Sequence, residues 1–320
     1  MQLRKLGLTN LRIPPIVFGG NVFGWTLDEA ASHRMLDDLH ARGFTAIDTA
    51  DAYSRWVTGN SGGESETIIG RWLAGRSDRD SITLITKVGY DMGQGHKDLS
   101  AGYIAKACED SLRRLQTDHI DLYFSHFDDE RTKPEETLRA YDKLIQSGKV
   151  RNIGASNFSV ARIEESLAAS QRESLPAYSV IQPEYNLFAR QQFEQELAPV
   201  AQQHQLGVIS YYTLASGFLS GKYRSEADLA QSQRGSGVEK YFNSSRGQEL
   251  LGALEQVSQR HGVQPAAVAI AWVLRNPQVS APIASATKAK HLDAFEQAVR
   301  LDLSDADIAE LDVRSPELSA

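Results

Sequence analysis

The stretch FTAIDTADAY, residues 44 to 53, begins as a short apolar run and stops abruptly at the carboxylate of Asp48. Tyr53 follows after a segment typical of a turn. The next two apolar runs end in a similar way, since SITLITK closes on Lys87 and IDLYFSH closes on His126. A carboxylate, a phenol, an ammonium group and an imidazole at the ends of successive strands are what a proton-transfer site requires. The sequence therefore predicts an enzyme.

Short apolar runs of this kind alternate with helical patterns along the whole chain. They cover residues 16–20, 44–48, 82–87, 120–126, 152–156, 179–185, 207–212 and 281–286. The runs are rich in β-branched residues and lack clean alternation, as in strands that are covered on both faces. Eight strand–helix units over about 300 residues predict an α/β fold of the (β/α)8 TIM-barrel type. We expect one domain over residues 1–320, which starts with a β-hairpin in residues 2–13.

A doubly wound open sheet is the main rival to the barrel. That fold binds dinucleotides with a Gly-x-Gly-x-x-Gly turn after its first strand. The segment GGNVFG at residues 19–24 has the wrong spacing for such a turn. The barrel is therefore the better interpretation.

One long polar segment, residues 223–247, interrupts the alternation after the seventh strand. A long loop at that point lies on the C-terminal face of a barrel, where active-site loops are found. We interpret it as a lid or a coenzyme clasp, with a tolerated surface loop as the alternative.

Composition excludes several classes of protein. With 41% apolar and 23% charged residues, a net charge of −7 and no Lys/Arg run, the 320-residue chain offers no nucleic-acid surface. The single cysteine, Cys108, excludes an internal disulfide and a thiolate zinc site, and its helical context predicts burial. His126 with Asp128 and Asp129 is better explained as a strand end and an acidic turn than as a metal site. No leader and no long apolar segment is evident, so we expect a cytoplasmic protein without membrane spans.

The four strand-end residues have complementary chemistry. A phenol holds its proton tightly, and a nearby ammonium lowers its pKa, each unit being worth about 1.4 kcal/mol. Lys87 can supply that charge to Tyr53, and Asp48 would keep Lys87 protonated. His126 could donate a hydrogen bond to a carbonyl. The set suits proton delivery to a carbonyl oxygen on which negative charge develops.

Each of these residues also has an ordinary structural explanation. Asp48 could cap the following turn, Lys87 could extend from a strand end, and His126 could be a hydrogen-bonded core residue. Tyr53 alone would more often serve packing. Their joint placement at one end of a barrel favours the functional interpretation.

At this point the whole chain resembles the aldo-keto reductases, NADP(H)-linked (β/α)8 barrels. The matching motifs run from RKLGLTNLRI through FTAIDTADAYS, LITKV and DLYFSH to GKVRNIGASNFS, VIQPEYNLF and SYYTLASGFLSGKY. The resemblance implies a catalytic tetrad of Asp48, Tyr53, Lys87 and His126. It further implies hydride transfer from a nicotinamide to a carbonyl carbon, with Tyr53 as the proton donor.

The resemblance also implies a set of coenzyme-binding positions. Ser156, Asn157 and Gln182 correspond to residues that hold the carboxamide, and Tyr211 corresponds to the aromatic residue stacked on the nicotinamide. The full set is Gly20, Ser156, Asn157, Gln182, Tyr211, Leu214, Ser216, Lys222, Arg224, Ser285, Thr287, Lys288 and His291. Backbone amides with lysine and arginine suit a diphosphate.

The sequence departs from the family after the eighth strand, where Ala294 and Phe295 replace a glutamate and an asparagine that hold the adenine. Lys288, Lys290 and His291 still offer positive charge near a helix N-terminus. We expect NADPH to be preferred, with NADH use possible. The alternative is that these three side chains form a solvated helix face.

Aromatic loop residues suggest apolar walls for a small-molecule carbonyl substrate. They are Trp25, Trp56, Phe127 and Phe188, whereas Trp72 and Trp272 lie in helical patterns and are expected in the core. Besides an aldehyde or ketone reductase, the chain could be a nucleotide-binding regulatory subunit or an alcohol or sugar dehydrogenase.

Overall fold

The N-terminal hairpin closes one end of the molecule. In the computed structural model, which describes residues 1–223, 225–230, 233 and 235–314, β1 (Arg4–Lys5) pairs with β2 (Arg12–Ile13) in antiparallel orientation. Leu6 is fully buried, together with residues at the start of the barrel strands. Because the hairpin covers the N-terminal strand ends, the C-terminal ends stay open for a site.

Gly7 sets how closely the hairpin approaches the barrel. Its φ is +51°, and a Cβ there would lie 2.2 Å from the backbone nitrogen of Gly207. A side chain at this position would therefore collide with backbone. The glycine is required by close approach as well as by conformation.

Eight parallel strands form a closed barrel in chain order. They are β3 (Val17–Gly19), β4 (Ala46–Asp48), β5 (Thr83–Val88), β6 (Leu122–Ser125), β7 (Ile153–Ser156), β8 (Val180–Gln182), β9 (Gly207–Ser210) and β10 (Ala281–Ala284). β10 closes the ring by pairing with β3. The predicted (β/α)8 barrel, its eight strands and the hairpin are confirmed.

Helices cover the outside of the barrel between successive strands. They are α1 (Glu29–Ala41), α2 (Glu64–Ala74), α3 (Ala101–Leu115), α4 (Pro134–Gln146), α5 (Val160–Glu173), α6 (Ala198–Gln203), α7 (Glu226–Ala230), α8 (Gly235–Phe242), α9 (Ser245–His261), α10 (Pro265–Arg275), α11 (Leu292–Arg300) and α12 (Asp305–Arg314). A π-helical turn, Gln192–Leu197, leads into α6. Cys108, Trp72 and Trp272 are buried in the core, as expected. In the part of the chain that the structure describes, no helix is long and apolar enough to span a membrane.

The segment predicted as a long loop, residues 223–247, carries regular structure in its described part. It contains α7, α8 and the start of α9. Val238 and Tyr241 of α8 are buried, and the Tyr241 ring stacks on Phe218 at 5.5 Å. The long connection after β9 therefore contains a helix, α8, whose two apolar side chains, three residues apart, give it a buried face.

Parallel register brings the strand ends together. Asp48 at the end of β4 lies opposite Ile85, and Lys87, two residues further along β5, lies opposite Phe124 of β6. Ser156 of β7 pairs with Gln182 of β8 in the same way. The polar side chains that close these strands consequently meet at the C-terminal face of the barrel.

Candidate active site

Lys87 is the centre of the candidate site. Its side chain is 0% exposed, and its Nζ donates to Asp48 Oδ2 at 2.6 Å, to the Thr49 carbonyl at 2.8 Å and to Tyr53 Oη at 2.9 Å. An ammonium group has three protons and no acceptor, so three oxygen acceptors satisfy it completely. The geometry is that of a protonated lysine hydrogen-bonded to the phenol.

Asp48 joins the lysine to both neighbouring groups. Its Oδ2 also accepts from Tyr53 Oη at 3.1 Å, and its Oδ1 accepts from Gln182 Nε2 at 3.0 Å. These donors reach this buried carboxylate from three places: β5, the loop after β4, and β8. The contacts hold the carboxylate in one orientation between Lys87 and Tyr53.

Tyr53 lies in the loop after β4, and a tight turn places it. Ser54 adopts the left-handed region with φ of 72°, and its Oγ donates to the Phe23 carbonyl at 2.6 Å. Asn60 Nδ2 donates to the Ser54 carbonyl at 2.9 Å. These bonds fix the loop and so direct the phenol toward Lys87.

The protonation states follow from burial and charge. Burial raises the pKa of Tyr53 well above its usual value, and the nearby Asp48 carboxylate raises it further. Burial lowers the pKa of Lys87, and Asp48 opposes that change. The net pKa of Tyr53 is therefore raised and not lowered as expected, because burial and Asp48 both raise it, and the contribution of Lys87 to stabilising the phenolate stays a prediction. The phenol keeps its proton at neutral pH.

His126 follows β6 and faces the phenol. The two rings meet nearly edge to face, with centroids 6.1 Å apart. Burial, followed by the charge of Lys87, lowers the pKa of His126 well below its usual value. The imidazole is consequently neutral, and its buried Nδ1 has no hydrogen-bond partner among the described residues.

An aromatic wall, formed by Trp25, Trp56, Tyr90 and Phe127, borders Tyr53 and His126. The Trp56 ring lies 6.1 Å from the Tyr53 ring and meets Trp25 edge to face at 5.5 Å. Tyr90 lies 5.5 Å from Phe127. Trp56 is 52% exposed, so a large aromatic surface next to the phenol faces solvent.

Sequence reasoning missed Tyr90 and assigned Phe188 to the same wall. Tyr90 comes just after β5, and an aromatic residue in the loop that follows a candidate strand was the available signal. Phe188 contacts Tyr241 at 4.8 Å and Phe218 at 6.3 Å. It thus packs beneath α8, and no ring contact joins it to the aromatic wall among the described residues.

Side chains at the ends of β7, β8 and β9 form a connected polar group beside the tetrad. Tyr211 Oη donates to Asn157 Oδ1 at 2.8 Å, and Asn157 Nδ2 donates to the His126 carbonyl at 2.9 Å. Ser156 Oγ donates to the Gln182 carbonyl at 2.8 Å. Amide and hydroxyl groups beside an aromatic ring fit a planar carboxamide-bearing ring, such as nicotinamide.

The loop after β9 makes a tight turn beside a lysine. Ala215, Ser216 and Gly217 all have positive φ, and the Ala215 amide donates to the Tyr212 carbonyl at 2.7 Å. A Cβ at Gly217 would lie 3.3 Å from Lys222 Nζ, so the ammonium lies over this loop. Leu214 belongs to the same turn, and its carbonyl accepts a hydrogen bond from the Gly217 amide at 2.8 Å. Arg224 lies outside the described residues.

Cations from the loop after β10 meet the same region. Burial lowers the pKa of His291, and the charges of Lys288, Lys222 and Lys290 lower it further. The Thr287 amide donates to His291 Nδ1 at 3.4 Å. Two loops that are distant in sequence thus share one positively charged region.

Ser285 and Gly20 lie where β10 meets β3. Ser285 Oγ donates to the Gly19 carbonyl at 2.8 Å, and a Cβ at Gly20 would approach the Asp48 carbonyl to 3.1 Å. Ala294 and Phe295 are buried, and the Phe295 ring packs on Phe44 at 5.6 Å. These two positions of α11 belong to the core.

Together the fold and the site define a (β/α)8 barrel with an Asp–Tyr–Lys–His group at its C-terminal end. The model of the Aldo/keto reductase family matches residues 15–314, and the chain belongs to that family. Membership supports an oxidoreductase activity. Aldo-keto reductases generally use nicotinamide coenzymes, typically NADPH, and act on small-molecule carbonyl compounds.

Similar proteins cover nearly the whole chain. The uncharacterized oxidoreductase YrpG of Bacillus subtilis is 34% identical over 311 residues, which are 95% of this chain and 92% of that protein. A probable voltage-gated potassium channel subunit beta of Arabidopsis thaliana is 33% identical, over 93% of this chain and 91% of that protein. The aldo-keto reductase YhdN of Bacillus subtilis is 31% identical, over 90% of this chain and 84% of that protein.

Proposed function

We propose that this protein is an NADPH-dependent reductase that converts aldehydes or ketones to alcohols, with Tyr53 as the proton donor. The observation that carries the proposal is the buried group in which Lys87 donates to Tyr53 at 2.9 Å and to Asp48 at 2.6 Å. This arrangement stabilises negative charge on the phenol oxygen only after the proton has left.

Tyr53, Lys87 and His126 would each have a separate role at a bound carbonyl group. Tyr53 holds a proton at neutral pH and gives it to the carbonyl oxygen as charge develops there. Lys87 then stabilises the phenolate through the hydrogen bond that it already makes. Neutral His126 is available to orient the carbonyl oxygen by a hydrogen bond, and it does not compete as a strong acid.

The polar group at β7 to β9 fits the nicotinamide coenzyme. Asn157, Ser156 and Gln182 would hold its carboxamide, and Tyr211 would face its ring. The coenzyme supplies a hydride when it is bound. Gln182 also donates to Asp48, so it links this group to the tetrad.

The positive region shared by two loops supports NADPH over NADH. The 2′-phosphate of NADPH carries negative charge and requires cations within hydrogen-bonding reach. Lys222, Lys288 and Lys290 all act electrostatically on His291, which is neutral at pH 7, whereas the buried Ala294 and Phe295 side chains offer no polar atom to an adenine. We infer a preference for NADPH that rests on charge more than on adenine contacts.

The Arabidopsis relative is named as a channel subunit, and a regulatory role is the alternative for this chain. A binding subunit needs the coenzyme site but not the proton donor. The complete group of Tyr53, Lys87 and Asp48 with its three-acceptor geometry supports turnover. The same site could oxidise an alcohol or sugar, since its groups act in both directions.

The test is a panel of aldehydes, ketones and sugars, assayed by loss of nicotinamide absorbance with NADPH and with NADH. We expect NADPH-dependent reduction of several carbonyl compounds and no comparable rate for Tyr53→Phe. Tight NADPH binding with no turnover of any compound would favour the regulatory subunit instead. Oxidation of alcohols much faster than any reduction would favour the dehydrogenase.

A further inference from the structure

A second group of buried ionisable side chains lies next to the Asp48–Lys87 pair. Asp51 is 3% exposed and Glu66 is 0% exposed. Glu66 accepts from Arg114 Nε at 2.7 Å through one carboxylate oxygen and from Thr86 Oγ1 at 2.6 Å through the other. Thr86 immediately precedes Lys87 in β5, so this group lies directly behind the catalytic lysine.

Asp51 has no cation of its own among the described residues. Its backbone N–H donates to the Lys87 carbonyl at 3.3 Å, and its buried Oδ1 has no hydrogen-bond partner in the described part of the chain. Arg114 donates to Glu66, and the three protons of Lys87 Nζ are donated to Asp48, Thr49 and Tyr53. An ionised Asp51 would therefore be a third buried carboxylate beside only two cations.

A buried carboxyl without a cation keeps its proton, because transfer of an unbalanced charge out of water is costly. Burial raises the pKa of Asp51 to about 8, with the charge of Glu66 as the second cause and Arg114 opposing it. The Ala52 amide and the charge of Lys87 also oppose the rise, and Asp51 in turn favours the charged form of Lys87. The remaining ionisable groups coupled to Asp51 are neutral phenols on the surrounding elements. They are Tyr103 of α3, Tyr123 of β6 and Tyr141 of α4.

We infer that Asp51 is a positioning residue that acts through Lys87 and controls how strongly Tyr53 can donate its proton. As a neutral acid, Asp51 leaves the charge of Lys87 available to the developing phenolate. After Asp51 loses its proton, its negative charge stabilises the ammonium in place and opposes negative charge on the phenol oxygen. The inference rests on the proposed function for its catalytic consequence only.

The direct test compares wild type with Asp51→Asn, a variant that is neutral at every pH. The readout is the ratio of kcat at pH 9 to kcat at pH 6.5 for one aldehyde with saturating NADPH. We expect this ratio to be larger in the variant by roughly threefold or more, because the variant cannot ionise. A purely structural role would lower kcat by the same factor at both pH values and leave the ratio unchanged, which would overturn the inference.

A second measurement needs no turnover. The carboxyl band of neutral Asp51 in the infrared spectrum of the wild type should disappear with a midpoint near pH 8. It should be absent from Asp51→Asn and retained in Asp80→Asn, a control at a carboxylate that is 89% exposed. Absence of a band that titrates in this range in wild type would refute the neutral acid, whatever the enzyme reduces.

The two measurements separate the two proposals. A titrating band with no carbonyl reduction by any variant would contradict the proposed function and leave the neutral Asp51 standing. Two results would contradict only the role of Asp51 and leave the proposed function standing. One is carbonyl reduction by a wild type that lacks the titrating carboxyl band, and the other is a pH 9 to pH 6.5 kcat ratio that is equal in wild type and Asp51→Asn. If Asp51→Asn does not fold, the infrared titration of the wild type still decides whether Asp51 is a neutral acid. A wild-type kcat that does not fall as the band disappears would then contradict the role through Lys87.

Discussion

Replacement of Lys87 by methionine removes one charge from the buried pair and keeps a side chain of similar length. The Asp48 and Lys87 side chains are 1% and 0% exposed, with Nζ 2.6 Å from Oδ2. In the variant, Asp48 keeps Tyr53 and Gln182 as donors and loses its cation. Removal of one partner from a buried ion pair costs roughly 3–5 kcal/mol, so we expect the free energy of unfolding to fall by about that amount.

The loss should depend on pH with a defined sign. Without its cation, the buried Asp48 carboxylate is an uncompensated charge in the folded state, and a proton taken up at low pH removes that charge. The deficit of Lys87→Met relative to wild type should therefore be largest near pH 8 and smaller near pH 5.

Urea unfolding, followed by tryptophan fluorescence, measures these differences. The double variant Asp48→Asn/Lys87→Met removes both charges, and we expect it to regain a substantial part of the lost stability. Carbonyl reduction should remain roughly 100-fold or more below wild type in both variants. As a control, Lys106→Met removes a lysine that is 77% exposed, and its pair with Asp110 should be worth less than about 1 kcal/mol.

Two outcomes would refute the reasoning about this pair. One is an unfolding free energy for Lys87→Met within about 1 kcal/mol of wild type, which is the range of an exposed pair. The other is a double variant less stable than Lys87→Met, which would mean that the uncompensated Asp48 charge is not the source of the cost.

Three further predictions concern the proton donor, the coenzyme and the aromatic wall. Tyr53→Phe should lower kcat by roughly 10²- to 10⁴-fold and leave NADPH affinity, measured by fluorescence, nearly unchanged; a loss of less than about tenfold would remove Tyr53 from the acid role. Lys288→Ala should raise the KM for NADPH and not that for NADH; equal use of both coenzymes by the wild type would contradict the charge argument. Trp56→Ala should raise the KM for an aromatic aldehyde by roughly tenfold and that for a short aliphatic aldehyde much less, and equal effects on both would count against a substrate wall.

The strands and their polar ends were predictable because that information is local. Each strand is a short apolar run, and a polar residue at the end of a buried run is visible without any contact map. Parallel strands share their C-terminal ends, so Asp48, Lys87 and His126 could be placed on one face of the barrel from the chain alone. The hairpin and the burial of Cys108, Trp72 and Trp272 followed from the same local patterns and are confirmed.

The sequence determined which residues surround the candidate site; only the tertiary structure decided their charges and some of their partners. Burial first and the Asp48 carboxylate second raise the pKa of Tyr53, whereas sequence reasoning counted only the favourable lysine. The inferred neutral state of Asp51 rests first on its burial and then on Glu66 of α2, which pairs with Arg114 of α3. A pKa sums electrostatic contributions from groups that distant elements deliver, and no local pattern in the chain records their separations.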